Sequence, residues 1–142
     1  MNSVITKAIQ SSIEKSVFRR LATASKNRTP NVSQKEAWLY GGDDRIWVVH
    51  IASPNTVTNI RECPQVCLSF IDVLAQKGYK IVGEARILET VDEAFYKLTA
   101  YIGQKFPILS VVEISAESAT PITAPATPCF RIPRNQRLWN RH

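Results

Sequence analysis

The sequence predicts a mainly β fold: about six antiparallel strands in a closed or nearly closed sheet, with about three helices interrupting it. Three observations predict it. The apolar, β-branched stretches before Pro54 are joined by connections too short for a parallel crossover. Tyr79 to Ile87 alternates with a period of two residues. Regular βα units, which would mark a doubly wound parallel sheet, are absent.

From the start of the chain, Ile5, Ile9 and Ile13, with Ala8 alongside, form a narrow apolar stripe over Ser3 to Lys15, predicting an amphipathic helix behind a Ser3 cap. Val17 to Ser25 reads as a strand, ended by the polar run Lys26 to Thr29 and by Pro30, which cannot continue a ladder. Asn31 to Tyr40 is the second strand, and Gly41-Gly42-Asp43-Asp44 is a tight turn into the third, Arg45 to Ala52. Pro54 stops that strand, and Asn55 or Thr56 is placed to cap a helix carrying Val57, Ile60 and Arg61.

Pro64 resets the chain, and Val66, Leu68 and Phe70 mark a fourth strand. After a loop over Asp72 to Gly78, the fifth strand places Tyr79, Ile81, Gly83, Ala85 and Ile87 on one face and Lys80, Glu84 and Arg86 on the other. Glycine in mid-strand is costly unless the strand bends, so Gly83 predicts a barrel corner. Thr90-Val91-Asp92-Glu93 is a capping box opening a third helix, whose stripe of Ala94, Phe95, Leu98, Tyr101 and Ile102 ends at Gly103. Ile108 to Ile114 is the last strand. Residues 1–118 therefore read as one domain, and 119–142, with four prolines from Pro121 on, as an extended tail.

Composition narrows the function classes. The chain has 142 residues, 44% of them hydrophobic, and no apolar stretch approaching the roughly 18 residues of a membrane helix, so no membrane is expected. Its net charge is +6, but Arg131, Arg134, Arg137 and Arg141 stand in an acid-free tail, which leaves the body nearly balanced. A nucleic-acid partner, which would want a clustered basic face, is not expected. Three cysteines are an odd number for a disulfide framework and fit a reducing, cytoplasmic setting. Cys63 and Cys67 lack the second ligand pair that a metal site requires, so none is expected.

The turn after the central strand is the strongest candidate for binding. A helix start offers free amide N–H groups and the positive end of the helix dipole, and Ser53, Asn55, Thr56 and Asn59 add donors suited to a phosphate. The same residues also suit simple capping. His50, just before the turn, fits either a hydrogen-bonded structural role or a ligand contact. No nucleophile-and-base pair and no GxSxG, HExxH, Walker or Rossmann pattern is present, so no catalytic residue is assigned. A cofactor is expected to bring any chemistry.

The order of several pieces is similar to one family. Leu21-Ala22-Thr23-Ala24, Thr29-Pro30-Asn31-Val32, Arg45-Ile46-Trp47-Val48-Val49, the run Asn55 to Phe70, and Gly78 to Arg86 together resemble the pyridoxamine 5′-phosphate oxidase-like, flavin-binding split-barrel family. The resemblance implies a six-stranded antiparallel split β-barrel of Greek-key type, forming a homodimer that holds FMN in a groove at its interface. It implies that Asn31, Val32, Ser33, Gln34 and Lys35 lie along the flavin ring and ribityl chain. His50, Ile51 and Ala52 would contact the flavin from the other side, and Ser53, Asn55, Thr56 and Asn59 would take the phosphate.

The chain departs from the family where Asn55 or Thr56 stands in place of a lysine or arginine; Lys35, Arg61 and the tail arginines are the replacements at hand. Substrate motifs of true pyridoxamine phosphate oxidases are not evident near the C-terminus. The expectation is an FMN-dependent oxidoreductase acting on a small-molecule redox substrate. The alternative is a split-barrel protein that binds a flavin, deazaflavin or haem without turnover. For the tail three readings compete: a disordered solubilising segment, a nucleic-acid or acidic-membrane contact, and an arm across the partner subunit near the flavin groove. Phe130 and Trp139 speak against pure disorder, and its four arginines are too sparse for strong DNA binding, which favours the arm.

Overall fold

A computed structural model of the chain describes residues 3–35, 37–50, 54–88, 96–97, 100 and 110–123, with His50 described in its backbone alone. Helix α1 spans Lys7–Lys15, and its cap is Thr6, whose hydroxyl accepts from the Ile9 N–H, rather than the expected Ser3. Ser3 is engaged elsewhere. The Asp44 carboxylate accepts from the Ser3 hydroxyl at 2.6 Å and from the Val4 and Ile5 N–H groups at 2.9 and 2.8 Å, so the chain is pinned before the helix begins. Asp43 and Asp44 have φ of 51° and 59°, as a two-residue type I′ hairpin turn requires, and that turn aims the carboxylate.

Among the described residues seven strands follow rather than six: β1 (Phe18–Ala24), β2 (Pro30–Gln34), β3 (Trp38–Gly42), β4 (Arg45–His50), β5 (Gln65–Asp72), β6 (Lys77–Leu88) and β7 (Ser110–Thr123). They form one antiparallel sheet in the order β2-β1-β5-β6-β7-β4-β3. Helix α2, Pro54–Glu62, connects β4 to β5.

The predicted second strand is extended over both halves but changes partner midway. The Lys35 N–H donates to the Arg19 carbonyl at 2.8 Å, continuing the β1 ladder, and the Ala37 carbonyl accepts from Val49 at 3.1 Å, beginning the β4 ladder. Two residues of chain span at most about 7 Å, so the two edges of the sheet must come together there. This switch closes the barrel, and it turns one predicted strand into two.

The last strand runs through Thr123 rather than ending at Ile114. Beyond Ser115 its only strand neighbour among the described residues is β6, and an edge position accommodates Pro121, which has no N–H to give. Expectations for the tail from residue 124 on lie outside the described residues. So does most of the third helix, of which Tyr96, Lys97 and Ala100 are described, as helical.

The interior is filled by Leu21, Trp38, Phe70, Ile81, Val112 and Ile114, with Ile9 and Ile13 of α1 packed against them. Phe70 meets Trp38 edge to face at 5.5 Å between ring centroids. The corner expected at Gly83 coincides with a bulge: Val82 pairs with Ser118 and Gly83 with Ala116. A Cβ at Gly83 would run into the Ser115 carbonyl oxygen, so the close approach of β7 requires glycine there.

Candidate functional site

Helix α2 begins at Pro54, whose fixed φ suits a first helical position and whose missing N–H costs nothing there. Asn55 and Thr56 therefore lie inside the first turn instead of capping it. Their amides belong to the group that a helix leaves without intrahelical partners, and no acid occupies the turn to neutralise the dipole.

Asn55 is exposed, whereas Thr56 is 1% and Asn59 7% exposed. Thr56 Oγ1 and Ser33 Oγ of β2 share a hydrogen bond of 3.2 Å. Asn59 Nδ2 donates to Thr23 Oγ1 of β1 at 3.0 Å, so this amide ties the helix to the barrel. The sequence offers Thr23 only within the run Leu21-Ala22-Thr23-Ala24 and not as a site residue; the structure sets it opposite Asn31 in the β1–β2 register.

Alternation along β2 sorts the expected flavin contacts. Asn31 and Ser33 are half-buried on the face toward α2, while Val32 and Gln34 are exposed on the other. Lys35, two residues beyond Ser33, continues the inner face and is 5% exposed. Burial pushes its ammonium pKa below the ordinary lysine value. Thr56 and Ser33 thus come together at the first turn of α2, and the buried Lys35 follows two residues beyond Ser33. His50 ends β4 just before the turn, and Ile51, Ala52 and Ser53 lie outside the described residues.

A second polar cluster lies on the outer face of β4, β6 and β7. Glu113, 5% exposed, accepts from Trp47 Nε1 at 3.0 Å and from Arg86 Nε at 2.8 Å, with Arg45 at 3.9 Å. Burial pushes its pKa up, but the hydrogen bonds from Arg86 and Trp47 and the charges of Arg86 and Arg45 outweigh this, and the net shift is downward from 4.5. A carboxyl with a depressed folded pKa stabilises the fold above its unfolded pKa and loses that contribution as pH falls through the folded value. The urea midpoint is therefore expected to drop below about pH 4.5, and a Glu113→Gln variant to show a smaller drop over the same range.

Among the described residues no group of three or more His, Cys, Asp or Glu side chains could hold a metal, and no helix is long and apolar enough to cross a membrane.

Comparisons with known proteins bear on the fold. The chain has the fold of an FMN-binding protein from Syntrophomonas wolfei, at 16% identity and a TM-score of 0.73 over 85% of this chain and 87% of that one. It also has the fold of an F420 reductase, at 21% identity and a TM-score of 0.66 over 82% and 98% of the two chains. The haem storage protein HutZ from Vibrio cholerae aligns at 16% identity and a TM-score of 0.65 over 84% and 94%. No match is found among curated protein sequences. The family model for pyridoxamine 5′-phosphate oxidase matches residues 5–122, nearly the whole described barrel, and the chain therefore belongs to the pyridoxamine 5′-phosphate oxidase family.

Proposed function

We propose that this protein binds FMN and serves as a flavin-dependent oxidoreductase on a small-molecule redox substrate other than pyridoxamine phosphate. The observation that carries the reading is the start of α2: an acid-free first turn with the Thr56 and Ser33 hydroxyls at it, and a buried Lys35 two residues beyond Ser33. The donor set fits a phosphate ester, which needs hydrogen-bond donors and positive charge in a partly dry setting. Bound there, the flavin supplies the electron transfer. Thr56 and Ser33 hold the phosphate end, and Asn59 keeps the helix seated on the barrel.

Thr56→Ala is expected to weaken FMN about tenfold through one lost hydrogen bond, and to leave riboflavin, which lacks the phosphate, almost unchanged. Fluorescence titration of both ligands decides it, since equal losses would mean that Thr56 acts through folding. A second reading, binding without turnover of a deazaflavin or haem, draws on the F420 reductase and haem storage protein that share the fold. The visible spectrum of the freshly purified protein separates these ligands, and reduction by NADH or NADPH separates turnover from storage.

The reading includes a homodimer in a cytoplasmic setting. Phe18, Val32, Val73 and Leu74 are 45%, 60%, 47% and 96% exposed, which is apolar surface suited to a second copy. The thiols of Cys63 and Cys67 are free. Light scattering at micromolar concentration is expected to give twice the 16.0 kDa chain mass; the monomer mass would refute the dimer.

A further inference from the structure

The outer face of the sheet carries an uncharged row across five strands. Cross-strand register sets Val32 of β2, Ala22 of β1, Cys67 of β5, Val82 of β6 and Ser118 of β7 side by side. Val32 is 60% exposed and Ala22, Cys67 and Val82 are half-buried, whereas their sequence neighbours Leu21, Leu68 and Ile81 belong to the core. Helices α1 and α2 bury Ile9, Ile13 and Ile60 in that same core, so neither is packed over the outer row.

The charges beside this row are divided by sign. Two residues before Val82, Lys80 stands in register with Ser69 and, beyond it, Arg20. Two residues after Val82, Glu84 stands in register with Gln65, whose side-chain amide donates to Glu117 at 3.2 Å. Burial pushes the Cys67 thiol pKa up and the charge of Lys80 works against it, which places the ammonium on this face. Lys80 and Glu84 are both exposed, and among the described residues neither takes part in an ion pair. They are too far apart to pair with each other, since four strand residues span about 13 Å.

We propose that a second copy of the chain docks on this row, face to face, with the two-fold axis running along it from β2 to β7. The proposal rests on the homodimer reading above and adds its geometry. Two sheets packed face to face lie about 10 Å apart, and an axis along the row sets each residue on one side of it over a residue from the other side. Val82 then meets the partner's Val82, and Lys80 meets the partner's Glu84, a contact that symmetry makes twice. Charge selects this orientation over the other that the sheet allows. An axis along β5 would lay Arg20 over the partner's Lys80, because the two flank Ser69 on neighbouring strands, and like charges opposed across an interface are destabilising.

The test is charge exchange in the full chain, read by fluorescence-detected sedimentation from nanomolar to micromolar protein at low ionic strength. Lys80→Glu alone sets acid against acid at both contacts, and Glu84→Lys alone sets base against base, so each should weaken its own dimer at least about tenfold. Mixed in equal amounts, the two variants regain opposite charges at both contacts and should form heterodimers with the affinity of the unsubstituted protein. That recovery also shows that both variants are folded. Single variants that dimerise as tightly as the unsubstituted protein, or a mixture no tighter than either variant alone, would overturn this docking face and leave the dimer standing. An unsubstituted protein that stays monomeric would overturn the homodimer reading itself, and the face with it.

Discussion

Phe70→Ala is expected to lower the stability of the barrel by about 3–5 kcal/mol, the range for removing a buried aromatic side chain. Phe70 is fully buried at the centre of β5 and touches rings on both sides, Trp38 at 5.5 Å and Tyr79 at 6.1 Å between centroids. Trp38 stands just after the partner switch between β2 and β3, and Arg19 stacks on its ring at 5.4 Å. Removing Phe70 therefore leaves a cavity against the segment that closes the sheet, and those rings have little freedom to fill it. Urea unfolding with an unchanged slope would give the value directly. Phe70→Leu, which keeps most of the volume, should cost less than half as much. A loss below about 1 kcal/mol for Phe70→Ala would show that the site collapses instead of holding a cavity.

Local chemistry made much of this fold legible. Period-two alternation placed β5 and β6, the Gly42-Asp43-Asp44 turn placed the β3–β4 hairpin, and a lone mid-strand glycine marked the bulge at Gly83. What was not legible is non-local. Nothing between Asn31 and Tyr40 announces a change of partner, because both halves are equally extended; only the distant strands β1 and β4 decide it. Likewise, residues 115–123 carry small and polar side chains with no apolar stripe, and they are strand because β6 is long enough to pair with them. Thr6 replaces Ser3 as the cap of α1 because Asp44, 41 residues away from Ser3, claims the Ser3 hydroxyl.

The candidate site divides in the same way. A helix start after an apolar strand is a local feature, and Thr56, Asn59, Ser33 and Lys35 were readable from it together with the family resemblance. The inward or outward facing of β2 residues was readable only once the strand phase was fixed, and it sets Val32 and Gln34 apart from Asn31, Ser33 and Lys35. Glu113 had a signal that went unread: a single acid inside the apolar run Val111-Val112-Glu113-Ile114 implies a buried partner, here Trp47 and Arg86.

Lys35→Met is expected to weaken FMN about ten- to a hundredfold, the largest effect anticipated on binding. The family's lysine or arginine at the start of α2 is replaced here by Asn55 and Thr56, so a phosphate needs its positive charge from elsewhere, and Lys35 is the buried cation on the face of β2 that carries Ser33. Losing one charge-assisted hydrogen bond costs about 1.5–3 kcal/mol, which gives that range. Burial already holds the Lys35 pKa below 10.5, so the charge is lost at a lower pH than for an ordinary lysine. The sign follows: FMN affinity of the unsubstituted protein should fall as pH rises toward that lowered value, while Lys35→Met, having no ammonium to lose, should lack that part of the decline. Riboflavin should be nearly indifferent to both the substitution and this titration. Measuring FMN and riboflavin dissociation constants for the two proteins from pH 7 to 10 tests all three statements. Equal losses for both ligands, or an alkaline decline that persists undiminished in Lys35→Met, would remove Lys35 from the phosphate site.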